Sequence, residues 1–357
     1  MNDAITKETT LTVGLDVGDR YVQVCVLDDA GEVVEESRLP TKAAALERRF
    51  AGCERMRMVL EAGSHSPWLS RLLQELGHEV LVGNPRKLRV IWDSDEKGDD
   101  RDAEMLARIG RFDPQLLHPI HHRGAQAQAD LAIIKARNML VKARSMLIAH
   151  ARGVVKSTGE RITTCSTDSF HARLLKEMPA ELMPALEPVM KSIEDLTCRI
   201  HHYDKLLEEL CTEKYPETDG LRAISGVGPV TGLAFVLTIE ESTRFDKSRA
   251  VGPFLGLTPK RDQSGQTDKQ LRITKAGDAY LRRLLVGCAQ YILGAFGPDC
   301  DLRRFGLKLA ARGGKNAKRR AVVAVARKLA VMMHQLWKSG VAYDPCYQQN
   351  RKQRKVA

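Results

Sequence analysis

The sequence predicts an α/β domain at the N-terminus followed by a mainly helical remainder, and three patterns carry that prediction. Short β-rich runs alternate with amphipathic segments through the first part of the chain. Two long stretches of helical periodicity occupy its middle, and glycine-punctuated apolar helices fill its end. At 357 residues the chain exceeds what one ordinary core organises, so two or three domains are expected. The pattern places an α/β domain at 1–120, a helical coiled-coil or dimerisation region at 121–216, a C-terminal domain at 217–345 and a basic tail at 346–357.

Strands are expected at Leu11–Val17, Tyr21–Leu27 and Glu32–Leu39, with Asp28-Asp29-Ala30-Gly31 as the hairpin turn between the last two. A helix follows at Thr41–Ala51 with Thr41 as its N-cap, then a strand at Arg57–Leu60. Next come a helix around Pro67–Leu76, a short strand at Val80–Val82, and a helix running from Asp99 to about Arg111. Three antiparallel strands followed by alternating α and β units is the order of an RNase H-like fold. There the fourth strand lies beside the first, which would make Asp16 and Glu61 neighbours across the sheet.

From Ala125 to Val155 the chain reads as one helix, with Lys135, Arg137, Lys142 and Arg144 interleaved among apolar residues. A second helical run, Ala180–Lys214, pairs with it as an antiparallel hairpin or as a dimerising coiled coil. After Gly220 the segment Leu221-Arg-Ala-Ile-Ser-Gly-Val-Gly-Pro resembles a helix-hairpin-helix turn. Its Gly226 and Gly228 free the backbone to face a DNA phosphate or simply connect two helices. The polar stretch Lys260–Lys269 reads as a loop, leading to apolar helices at Ala279–Phe296 and beyond Gly314.

Hydrophobic content of 43% and charged content of 28% describe a folded globular chain. Lys and Arg number 56 against 45 Asp and Glu, a net charge of +11 that favours a polyanionic partner. Eight scattered cysteines without a C-x-x-C pair argue against structural zinc and a disulfide framework. With no signal-like N-terminus and no membrane-length apolar run, the expected location is the cytoplasm, with no membrane partner.

Four acidic residues carry the chemistry: Asp16 and Glu61 at strand ends, and Asp99 with Asp102 one turn apart at a helix start. Hard divalent cations such as Mg²⁺ (or Mn²⁺) take oxygen ligands, and two of them clamp an in-line phosphoryl displacement. Taken singly, each residue is also an ordinary strand-end turn former or helix-capping acid. A second candidate centre is Ser264, with Lys260, Arg261, Lys269, Arg272 and Lys275 close in sequence. Positive charge of this kind stabilises an attacking alkoxide and a crowded phosphorus, although a Ser-Gly in a loop is more often only a loop. Arg282 and Arg283, and Lys318, Arg319 and Arg320 on the last helix, offer contacts to a phosphate backbone or form a solvated cationic face. His121 and His122 lack partners at metal-ligand spacing and receive no role.

As a set, GLDVG, LEAGSHSPWL, NPRKLR, KGDDRDAEMLAR, AISGVGPVTGLAF, FLGLTPKRDQSG and RITKAGDAYLRRLL resemble the DEDD-type transposases of the insertion-sequence-110 family, in order and over nearly the whole chain. The resemblance implies an RNase H-like (RuvC-type) N-terminal domain, a helical coiled-coil linker and a C-terminal transposase domain. It assigns the carboxylates to Asp16, Glu61, Asp99 and Asp102 and the nucleophile to Ser264. Where many members carry Ser-Ser-Gly, this chain has Gln263-Ser264-Gly265, leaving Ser264 alone at the site. The implied activity is excision and insertion of the protein's own insertion sequence, with serine attacking the DNA backbone, a covalent phosphoserine link and a junction intermediate. The implied partners are DNA at the element ends and target, a structured guide RNA, and further copies of the chain in a dimer or tetramer whose protomers share active sites.

Other readings use the same residues differently. A RuvC-type junction nuclease would hydrolyse with the four carboxylates and give Ser264 no role. A sugar-kinase-like phosphate loop fits GLDVGDRY poorly, because no Ser or Thr follows the glycine. A non-catalytic nucleic-acid-binding protein would need none of the carboxylates.

Overall fold

The computed structural model describes residues 11–88, 98–348 and 350, with backbone only for Asp99 and Gln270. The chain divides into two compact units, Met1–Ala125 and Gln126–Ala357.

In the first unit β1 (Thr12–Val17), β2 (Tyr21–Leu27) and β3 (Val33–Pro40) form an antiparallel meander, followed by α1 (Ala43–Phe50). Then β4 (Arg57–Glu61), α2 (Ser66–Glu75), β5 (Glu79–Gly83), the short α3 (Pro85–Leu88) and α4 (Asp99–Phe112) complete it. The sheet order is β3-β2-β1-β4-β5, with β4 parallel to both β1 and β5. The fourth strand therefore lies beside the first, as the element order implied.

The inner strands β1, β2 and β4 are apolar on both faces because helices cover both, whereas β3 has no buried residue. Val13, Leu15, Val22, Val24, Met58 and Leu60 point to the side of α1 and α2, where Leu46, Phe50, Leu69 and Leu73 meet them. Val59, Cys25 and Leu27 point to the other side and pack with Leu106, Ile109, Ala103 and Ala107 of α4. The turn at Asp28–Gly31 closes as expected, with Gly31 N donating to the Asp28 carbonyl at 3.1 Å. Arg111 fastens it to α4 by donating to the carbonyls of Asp28 and Asp29. One local expectation fails: Thr41 does not cap α1, because its hydroxyl donates to the Gly18 carbonyl at 3.0 Å and Lys42 stands at the N-cap without a side-chain bond.

The second unit opens with α5 (Ala125–Ser157), followed by α6 (Phe170–Glu177) and α7 (Met183–Glu209), which π-helical residues Leu210–Lys214 extend. The pairs Arg137–Asp204 at 2.9 Å and Lys214–Asp130 at 2.5 Å run α5 and α7 antiparallel within one chain. The hairpin has its own distal core of Ile148, Val155, Phe170, Leu186 and Ile193. At its base, Leu131, Ile134 and Leu207 join the C-terminal core instead. There α8 (Thr218–Arg222), α9 (Pro229–Ile239), α10 (Val251–Phe254), α11 (Ala279–Leu293), α12 (Asp301–Ala310) and α13 (Ala317–Ser339) share one core, in which the α9 residues from Thr231 to Ile239 are all buried. All eight cysteines are free thiols. Among the described residues no helix is long and apolar enough to cross a membrane. Of the basic tail, residues 351–357 lie outside the described residues.

Candidate nuclease edge and serine hairpin

Alternation along a strand decides where the first two carboxylates lie. Val13 and Leu15 face the α1–α2 side, so Gly14 and Asp16 face α4; Met58 and Leu60 face the α1–α2 side, so Val59 and Glu61 face α4. The β1–β4 register ends at Leu15 opposite Leu60, which leaves Asp16 and Glu61 one step beyond, on the same face and at the same edge.

Two glycines bring α4 into backbone contact with that face. A methyl group on Gly14 would sit 1.9 Å from the Ala103 carbonyl oxygen, and one on Gly110 would sit 2.3 Å from Val59 Cγ2. Arg57, at the start of β4, donates to the Gly110 carbonyl at 3.2 Å. Gly14 and Val59 are partners across β1 and β4, so α4 crosses the sheet from β1, under Ala103, to β4, under Gly110. Asp102 adjoins the Ala103 that rests on Gly14, two residues before Asp16 and on the same face of the sheet.

Asp102 is half-buried, and Asp16, Glu61 and Asp102 each already take part in a polar or electrostatic interaction. Asp99 begins α4, while its side chain lies outside the described residues. The donors are all hard carboxylate oxygens, which suits Mg²⁺ or Mn²⁺ rather than zinc. Among the described residues, no group of three or more His, Cys, Asp or Glu side chains is gathered closely enough to hold a metal ion. The set suits a divalent cation in the chemistry of its donors.

Ser264 lies in the second unit, on a structure that the sequence disguised. The expected loop is a hairpin of β6 (Pro259–Ser264) and β7 (Thr267–Ile273), turning through Gly265 at φ +54°. Ser264 ends β6 opposite Thr267. The register puts Asp262 and Lys269 on the face of Ser264, whereas Arg261 lies on the other face. There it forms a two-pronged pair with Asp268, at 2.8 and 2.7 Å. Arg261 and Ser264 are close in sequence but not presented together.

The remaining cations sort in the same way. Arg282, expected to touch nucleic acid, instead donates to the carbonyls of Leu255 at 2.9 Å and Ala276 at 2.6 Å, bracing the turn that leads into α11. Arg283 is exposed, lies over the Tyr280 ring and donates to Asn138 at 3.1 Å. Lys318, Arg319 and Arg320 are exposed in the first turn of α13, which holds no acidic residue. Cations there oppose the positive end of the helix dipole, an arrangement that a bound anion would relieve. Gly226 takes φ +90° with its α-carbon against Tyr291 of α11, so its freedom serves packing; Gly228 is exposed with open space beside it.

Two groups at the sheet edge escaped the sequence reading. His122, assigned nothing, shares a 2.8 Å hydrogen bond with the buried Ser66 hydroxyl, and burial followed by the nearby Arg71 and Arg123 lowers its pKa. His65, four residues past Glu61, contacts Asp19 and Trp68. The available signal was position alone: a histidine in the loop that leaves a carboxylate-ending strand.

Comparison with known families agrees with this architecture. A family model described as "Transposase", for DEDD transposases of the IS110 type, matches residues 13–159. A second, described as "Transposase IS116/IS110/IS902 family", matches residues 219–301. A probable family 20 transposase of Pseudomonas aeruginosa is 26% identical over 340 residues, covering 93% of this chain and 98% of that protein. The transposase for insertion sequence element IS1111A of Coxiella burnetii is 27% identical over 330 residues, covering 89% and 87%. The protein is thus a transposase, an enzyme of DNA strand cleavage and transfer. The chain belongs to the IS110 family of these enzymes.

Proposed function

We propose that the first unit is an RNase H-like catalytic domain in which Asp16, Glu61, Asp99 and Asp102 hold Mg²⁺ or Mn²⁺ against a DNA phosphodiester, and that Ser264 is the nucleophile. The observation that supports this reading is that Asp16 and Glu61 stand at the ends of neighbouring strands on one face of the sheet, the face on which Ala103, next to Asp102, rests on Gly14. A divalent cation bound there would polarise the phosphate and stabilise the departing oxygen.

The chain's own groups supply the rest. Ser264 Oγ forms the new bond to phosphorus, its proton passes to solvent or a nearby carboxylate, and the bond from phosphorus to a sugar oxygen breaks. The product is a phosphoserine ester and a free sugar hydroxyl, and attack by a second strand's hydroxyl on the ester reverses the step with exchanged partners. Lys269, on the serine's face, neutralises the phosphate, with Lys260, Arg272 and Lys275 adding positive charge along the hairpin and its exit. Arg283, Gly228 and the Lys318–Arg320 cluster take the backbone of bound nucleic acid, which includes element ends, target DNA and a structured guide RNA encoded by the element. A dimer or tetramer is the working assembly.

The test is capture of the covalent adduct. The protein would be co-expressed with the full flanking sequence of its element, and SDS-resistant protein–DNA species compared between wild type and Ser264→Ala. An adduct that requires Ser264 and Mg²⁺ is expected. Cleaved DNA without an adduct, indifferent to Ser264→Ala, would assign the carboxylates to a hydrolytic junction nuclease instead.

A further inference from the structure

The loop that follows Glu61 is held stiffly. The Ser66 hydroxyl, buried at 1% exposure, accepts from Gly63 N and donates to the Gly63 carbonyl, both at 2.9 Å, and also meets His122. His65 stands on this loop immediately before α2. Its Nδ1 receives the indole N–H of Trp68 at 3.1 Å, and the two rings meet edge to face at 89°. An indole nitrogen can only donate, so Nδ1 must be the bare nitrogen and the proton of the neutral ring sits on Nε2.

That Nε2 lies 3.3 Å from Oδ1 of Asp19, in the turn that follows β1. The Asp19 side chain is 93% exposed, so the contact is long, open to water and easily displaced. The two loops that leave the strands of Asp16 and Glu61 therefore meet through an imidazole whose donor direction is fixed and whose acceptor is loosely held. All of this lies at the edge where those strands end.

We propose that His65 is a phosphate-contacting residue of the strand-transfer site. Its Nε2–H donates to a non-bridging oxygen of the DNA backbone laid along the sheet edge, Trp68 keeps the proton on that nitrogen, and Asp19 is the acceptor the phosphate displaces. This rests on the reading that DNA lies at the carboxylate edge. A purely structural clasp between the two loops makes the opposite forecast for Asp19, and that difference decides the matter.

The experiment uses the full-length protein, co-expressed with its element's flanking sequence, and a fluorescein-labelled duplex of the element's end. Binding and strand transfer are measured for His65→Ala, His65→Gln, Trp68→Phe and Asp19→Ala. We expect His65→Ala to weaken binding and raise KM roughly 10- to 100-fold, the range of one hydrogen bond to a charged group, with kcat little changed. His65→Gln, which retains a donor, recovers part of the loss. Asp19→Ala equals or improves on wild type, because it removes a competing acceptor. Nitrogen NMR of the histidine rings should show His65 protonated at Nε2 and shifting when the duplex is added, with Trp68→Phe giving mixed tautomers. If Asp19→Ala reproduces the loss of His65→Ala, the pair is a structural clasp and the proposal is overturned. If His65→Ala binds within twofold of wild type, it is overturned as well. Asp16→Ala separates the two levels: retained strand transfer there would sink the carboxylate assignment, whatever His65 does to binding.

Discussion

Asp16 and Glu61 stand at the ends of inner strands buried under helices on both faces of a five-stranded sheet, whereas Ser264 ends a two-stranded hairpin whose residues 260–269 are all exposed. Asp16 and Glu61 are placed by the β1–β4 register, and the helix that carries Asp102 by backbone-to-backbone packing on Gly14, where nothing can shift without opening the core. The serine is placed by cross-strand hydrogen bonds and the Arg261–Asp268 pair, and an isolated hairpin of this kind is marginal in water. Five cations against two carboxylates between Lys260 and Lys275 also repel one another until a polyanion neutralises them. On the proposed reading the difference is a division of labour: the carboxylate side is organised by folding, and the side of the proposed nucleophile by substrate.

The sharpest way to break this comparison is to remove a carboxylate. Asp16→Ala or Asp102→Ala should lower strand transfer by about a hundred- to a thousandfold or more, the scale on which single transition-state contacts are lost. Nucleic-acid binding, followed by gel shift, should stay near wild type. Binding lost together with activity would point to a folding defect and undo the metal-ligand assignment.

Glycine substitutions sharpen it next. Gly14→Ala drives a methyl group into the Ala103 carbonyl and should destabilise the first unit by about 1–3 kcal/mol or more in urea unfolding. Gly265→Ala meets no atom within 4 Å and pays only the local cost of φ +54°, about 1 kcal/mol. That cost falls on a hairpin outside the core, so the unfolding midpoint should not move. Equal shifts from both variants would erase the distinction between a packed edge and an adaptable tip.

The smallest effect concerns the Arg261–Asp268 pair. Arg261 holds the Asp268 carboxyl below its ordinary pKa, so the pair's contribution is complete above the usual carboxylate range and is lost as pH falls through the depressed value. Acid, high salt or Arg261→Ala should therefore speed amide exchange in β6 and β7 alone. Exchange that stays protected through all three would show that the hairpin is braced by something other than this exposed pair.

Much of the first unit was legible because its physics is local and periodic. Tyr21–Leu27 appears with the expected ends, and the helix at Asp99 starts where its paired acids suggested. The serine hairpin was not legible: with both faces exposed it carries no alternation of apolar and polar residues, and its composition is that of a loop. The helix α12, an amphipathic run from Asp301, went unread between two stronger apolar stretches. The roles of Arg282 and Arg261 were hidden for a different reason. A cation's partner is set by tertiary placement, and one-dimensional proximity to Ser264 says nothing about which face of a hairpin it occupies.

The contact between Arg57 and the Gly110 carbonyl makes α4 a measuring rod. With one end clamped at the start of β4, the count of residues back to Asp102 sets both the height and the compass bearing of that carboxylate. One residue inserted between them would swing Asp102 through about 100° and carry it off the sheet edge. The same insertion after Phe112 lies outside the measured interval, so lineages of this protein should vary in length there and hold α4 constant.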